Sequence, residues 1–97
     1  MKIEKRTDWI NPDEKMISLE IGDQHAIHYY SYTYLVNDQG QFHPLVRWDN
    51  FNRKPHVAIY ENDAVKQYDT DEKAYGEVVK IVRLFRLNLR RMDIRNL

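Results

Sequence analysis

Four residues near the middle of the chain have the types needed to act on a phosphodiester: Arg47, Asp49, Asn50 and His56. A histidine titrates near neutrality and can move a proton. An arginine offsets charge that builds on a phosphate, and an aspartate can orient the imidazole. Arg47 and Asp49 stand two apart, so on a strand they share a face. Tyr29, His43 and Tyr60 are candidate neighbours on that face. The same residues have a plainer reading. Alternate Arg and Asp on a strand often form a surface ion pair worth at most about 1 kcal/mol, Asn50 can simply start a turn, and His56 can end a strand.

The elements that must hold these residues follow from the pattern around them. Gln41 to Asp49 alternates, with Phe42, Pro44, Val46 and Trp48 on a nearly apolar face and His43, Arg47 and Asp49 on the other. Pro44 cannot donate to a ladder, which predicts a local edge or a bulge. Asn37-Asp38-Gln39-Gly40 is the strongest turn signal in the chain. A bulge at Gly40 sets Tyr30, Tyr32 and Tyr34 against the apolar row and is the preferred register; a plain two- or four-residue connection sets Leu35 against Phe42 instead.

Upstream, Lys15 to Ile21 reads as a half-buried strand with Ile17, Leu19 and Ile21 together. Gly22-Asp23 is expected to supply positive φ to a hairpin, and Gln24 to Val36 one long strand. Downstream, His56 to Tyr60 is a short strand with Val57 and Ile59 inward, and Ala64 to Tyr68 can pair back on it. Asp69-Thr70-Asp71-Glu72 reads as the cap of a helix over about 72–93. Its seam is Tyr75, Val78, Val82, Phe85, Leu89 and Met92, with Gly76 a candidate for close approach to the sheet. Residues 1–14 read as an ordered lead-in, residues 15–68 as the sheet.

The expected fold is therefore α+β: a single domain over residues 1–97, with an antiparallel sheet of about four to five strands and one C-terminal helix packed on one face. Ninety-seven residues and 42% apolar composition suit one small core. The chain has no 18-residue apolar run and no cysteine, so neither a membrane span nor a disulfide framework is expected, and the cytoplasm is the expected compartment.

The formal net charge is zero but unevenly placed. Residues 1–79 hold nine basic and fourteen acidic side chains, whereas residues 80–97 hold six basic side chains and Asp93 alone. Arg83, Arg86, Arg90 and Arg91 near the helix end complement the macrodipole, and they also offer a surface for nucleic acid or an acidic partner. The four histidines, His25, His28, His43 and His56, lack the spacing of a metal site, and no glycine loop suits a nucleotide, so no cofactor or metal is expected.

In order along the chain, Tyr30-Ser31-Tyr32-Thr33-Tyr34, Asp38-Gln39-Gly40, Arg47-Trp48-Asp49-Asn50, Pro55-His56-Val57-Ala58-Ile59 and a terminal helix resemble the TumE-like toxin family of type II toxin–antitoxin systems. The resemblance covers roughly residues 15–90 and is most specific at the Arg-x-Asp-Asn box and the Pro-His step. Val57 and Ala58 stand where the family carries further histidines. It implies a small toxin acting on RNA or translation, neutralised by a cognate antitoxin. Carried over by position, it singles out Arg47, Asp49, Asn50 and His56; any enzymatic activity would be ribonuclease-like and metal-independent. The alternative is a non-enzymatic module that binds protein or nucleic acid through the basic helix end and the tyrosine-bearing sheet. A homodimer through the sheet edge or the helix is a further expectation.

Overall fold

The computed structural model describes the backbone of residues 1–95 and the side chains of residues 1–87. Six strands run β1 (Lys2–Asn11), β2 (Glu14–Gly22), β3 (Ile27–Asp38), β4 (Gln41–Asp49), β5 (His56–Ile59) and β6 (Ala64–Gln67), followed by helix α1 (Asp71–Arg95). The strands form one sheet in chain order, each antiparallel to its neighbour. A meander of this kind needs only short connections, and the turn chemistry of the chain provides them.

The sheet has one strand more than the upper expectation, because the lead-in is itself a ten-residue edge strand. Its alternation escapes a hydrophobicity reading because charged side chains, Lys2, Glu4, Arg6 and Asp8, occupy one face and Ile3, Lys5, Thr7 and Trp9 the other. Asn11 Oδ1 accepts the Asp13 N–H at 2.8 Å and closes the first turn.

The second turn differs from expectation. Gly22 has no positive φ; it is needed because a Cβ there would lie 2.2 Å from the Ala26 carbonyl oxygen. Asp23 organises this loop, accepting the N–H groups of His25 and Ala26 and pairing with His28. Those contacts hold the Asp23 carboxyl down at about 2, chiefly through His28.

Gln39 and Gly40 both take positive φ, 54° and 85°, in a two-residue turn that pairs Asp38 with Gln41. This is the primed hairpin geometry, not a bulge at Gly40. The bulge sits further along, where Leu35 faces Pro44 and Tyr34 faces Val46, leaving Leu45 as the extra residue. One extra residue reverses parity. Phe42 and Pro44 therefore lie on the face away from the helix, and His43 lies opposite Val36 on the helix face, not beside Arg47. The preferred register sets Tyr30 against Trp48 and Tyr32 against Val46, whereas Tyr32 meets Trp48 and Tyr34 meets Val46; the tyrosine row shares the core face as expected, shifted by two residues.

The core lies between the β3–β5 part of the sheet and α1. Tyr34, Val46, Val57 and Ala74 are its buried centre, with Met16, Leu45, Trp48, Val78, Ile81 and Phe85 packed around them. The helix faces the sheet along Ala74, Val78, Ile81, Val82 and Phe85, so Val78, Val82 and Phe85 of the expected seam pack as anticipated, while Tyr75 stays exposed and Ala74 takes the buried place beside it. Thr70 Oγ1 accepts the Lys73 N–H at 3.2 Å, as its capping role predicts. Gly76 faces open space and does no packing work. The expected seam positions Leu89 and Met92 lie outside the described side chains. Among the described residues, no helix is long and apolar enough to cross a membrane.

Candidate functional site

The helix covers one face of the sheet and leaves the other open. Arg47 and Asp49 point to the open face because Trp48 between them points to the core. Strand pairing then brings in the third member: Asp49 stands opposite His56, and Arg47 opposite Ala58. On the β3 side, Ser31 faces Asp49 and Thr33 faces Arg47.

Asp49 is the buried centre of this group at 5% exposure. One carboxylate oxygen, Oδ2, lies 3.1 Å from Arg47 Nε, an ion-pair distance whose alignment falls short of a hydrogen bond. The other, Oδ1, accepts the Phe51 N–H at 3.0 Å and stands 3.9 Å from His56 Nδ1. His56 Nδ1 is buried without a hydrogen bond, so the ring shows its limited exposed surface through its other atoms. Arg47 is the most accessible of the three, with 42% of its side chain exposed and Tyr60 6.0 Å from its guanidinium. A buried carboxylate between a partly exposed cation and an imidazole is a workable proton-transfer arrangement.

Asn50 plays a different part. Its side-chain oxygen accepts the Tyr30 N–H at 2.9 Å, and its amide donates to the His28 carbonyl at 3.1 Å. Both ends of the amide are committed to the backbone of β3, so Asn50 extends the ladder beyond β4 and fixes the exit of the chain towards His56. These two bonds position the group.

The open face is sorted by charge. Along the paired strands its positions hold Lys5, Lys15 and Arg47 and one carboxylate, the buried Asp49. Glu4, Asp8, Glu14 and Glu20 all have the opposite parity and lie on the helix side. Aromatic rings accompany the cations: Trp9 and Phe42 meet edge to face at 5.5 Å, with Lys15 Nζ 4.9 and 4.1 Å from their centroids. This cluster was invisible in the sequence because it needs both the β1 strand and the Leu45 bulge to bring Trp9 and Phe42 together.

The basic helix end is drawn into the fold at Arg86, which donates to Glu14 at 2.6 Å. Arg83 is exposed, and the side chains of Arg90 and Arg91 lie outside the described residues. The tyrosine row is likewise occupied on the helix side. Tyr30 donates to Asp71, Tyr32 donates to Glu20 at 3.0 Å, and Tyr34 is buried. Burial first, then Glu20 for Tyr32 and Glu14 for Tyr34, pushes those phenols up to about 12, and burial with Asp71 pushes Tyr30 higher still. No cluster of three or more potential metal ligands occurs among the described residues.

Compared with protein-family models, curated proteins and solved structures, the chain matches none.

Proposed function

We propose that this chain is a small RNA-directed protein of the TumE-like toxin kind, acting through Arg47, Asp49 and His56 without a metal ion. The observation that carries the reading is the convergence of these three side chains on a sheet face whose only strand carboxylate is the buried Asp49. Such a face attracts a phosphate backbone, and its aromatic rings suit unpaired bases.

In the reaction that suits these groups, the ribose 2′-oxygen attacks the neighbouring phosphorus and the bond to the 5′-oxygen breaks. The products are a 2′,3′-cyclic phosphate and a 5′-hydroxyl, whose proton comes from solvent. His56 takes the 2′-hydroxyl proton, Arg47 stabilises the charge on the phosphoryl oxygens, and Asp49 holds both side chains in place. A small cognate antitoxin fits the same reading as the partner that covers the open face.

The test is cleavage of a fluorophore–quencher single-stranded RNA in the presence of a chelator, with the all-deoxy strand as control. RNA is expected to be cut and DNA spared, because only RNA has the 2′-hydroxyl. Replacing His56 by Ala should lower the rate by about 100-fold or more, and Arg47→Ala should have a comparable effect. Induced expression should arrest growth, and either substitution should relieve the arrest. Uncut RNA together with harmless expression would remove this reading. Salt-sensitive RNA binding without cleavage would establish the binding-module alternative in place of the enzyme.

A further inference from the structure

The sheet has two edges, and they are built differently. β6 is four residues long, a length that discourages further pairing, whereas β1 is ten residues long, contains no proline and is paired only with β2. All ten of its residues are exposed. Charged edge strands usually resist association, but the charges here have a particular order. Lys2, Glu4, Arg6 and Asp8 share the helix-side face and alternate in sign, with Lys2–Glu4 at 3.0 Å and Arg6–Asp8 at 2.9 Å within the strand.

We propose that β1 is a self-association edge, pairing with β1 of a second copy in antiparallel fashion about a two-fold axis at Lys5. In that register Lys2 faces Asp8 of the second copy, Glu4 faces its Arg6, and symmetry repeats both, giving four opposite-charge pairs. A two-fold axis normal to the sheet keeps like faces together, so the axis can stand only at a residue and each alternative can be checked. An axis at Arg6 sets Arg6 on Arg6 and Glu4 on Asp8. An axis at Glu4 sets Glu4 on Glu4 and Lys2 on Arg6. Both are repulsive. An axis at Thr7 gives two Arg6–Asp8 pairs but pairs residues on either side of Ile10, where β1 departs from regular register. Only the axis at Lys5 gives all four helix-side charges opposite partners and stays within the regular part of the strand, its one like-charge contact being Lys5 on Lys5. The two Lys5 side chains meet at the axis on the open face, where both are exposed to solvent. The product is a continuous twelve-stranded sheet with both helices on one side and both open faces on the other.

The absence of native cysteine makes the register directly readable. Paired Cα atoms across an antiparallel ladder lie about 4.5–5.5 Å apart, within the span of a disulfide. Mild oxidation should therefore link Lys5→Cys into a covalent dimer and leave Thr7→Cys unlinked. In low salt the unmodified chain should sediment at twice its 11.8 kDa mass. Arg6→Glu should weaken the dimer by about tenfold or more, since it creates two like-charge pairs. Combining Glu4→Arg with Arg6→Glu should restore it. A chain that sediments as a monomer, linking at Thr7→Cys in place of Lys5→Cys, or a charge swap that fails to restore association would each overturn the proposal.

Discussion

Glu14 of β2 and Arg86 of α1, 72 residues apart in sequence, form a 2.6 Å ion pair that ties the far end of the helix to the sheet. The Glu14 side chain is only 10% exposed, and the guanidinium is the hydrogen-bond partner of its carboxylate. Arg86→Ala should destabilise the fold by about 1–3 kcal/mol, because it leaves a buried acceptor unpaired. Adding Glu14→Leu to Arg86→Ala should recover part of that loss. Urea unfolding of the single and double variants checks both statements, and strict additivity would count against the coupling.

The twin hydrogen bonds of Asn50 to β3 predict a stability effect larger than its place in a loop suggests. Asn50→Asp retains an acceptor for Tyr30 N–H but loses the donor to the His28 carbonyl, and should cost about 1–2 kcal/mol. If Asn50 only positions the group, His56-dependent activity should fall in proportion to folded protein, with no change in the pH profile. Thermal unfolding and a pH–rate curve on the same samples separate these effects.

How much of this was legible beforehand differs from residue to residue. The opposition of Trp48 to Arg47 and Asp49 follows from strand parity alone, and the proline–histidine step correctly opens β5. The β1 residues read as a lead-in because their charges occupy the face that apolar residues normally mark, a pattern suited to an edge and not to a core. Strand alternation puts Phe42 and His43 on the opposite faces from those they occupy, because the bulge at Leu45 leaves no compositional trace; Pro44 signals an irregularity but not its position. The resemblance singles out Asn50, but its bond to the β3 backbone is not legible in the sequence because it depends on a contact 20 residues away.

Alkali should reveal the tyrosines of the helix side. A phenol whose folded pKa is raised stabilises the native state fully below its ordinary value of 10, and that contribution is lost as pH climbs towards the folded value. For Tyr32 and Tyr34 the window runs from 10 to about 12. Ultraviolet titration should show their ionisation delayed and coincident with loss of helical circular dichroism. Tyr34→Phe should remove one phenol from the delayed step, and ionisation of all tyrosines near pH 10 without unfolding would contradict their burial.

Two glycines should respond oppositely to alanine. Gly76 lies in the helix with open space beside it, so Gly76→Ala should stabilise by about 0.5–1 kcal/mol. Gly22→Ala must push back the Ala26 carbonyl and should destabilise by about 1–3 kcal/mol. Paired melting temperatures provide the check.

If nucleic acid tracks the open face, cations remote from His56 must contribute to binding. Lys15→Glu should weaken RNA affinity several-fold at low salt and flatten its salt dependence, while leaving cleavage of saturated substrate nearly unchanged. Lys73→Glu, on the helix, is the matched control and should do neither. Binding isotherms at two salt concentrations distinguish them, and equal effects from both would remove the open face as the track.

The extra residue at Leu45 gives β4 two side-chain phases, one on each side of the kink. The bulge therefore lets Phe42, Pro44, Arg47 and Asp49 share one face although their numbers differ in parity. Deleting Leu45 would set Pro44 opposite Leu35 directly beside Val46 opposite Tyr34, an unbroken ladder that keeps Phe42 opposite Asn37 on the open face and leaves the pairing of Asp49 with His56 as it is. The open face is thus two segments joined at one residue, and that residue is the one the ladder can lose without changing which side chains the face presents.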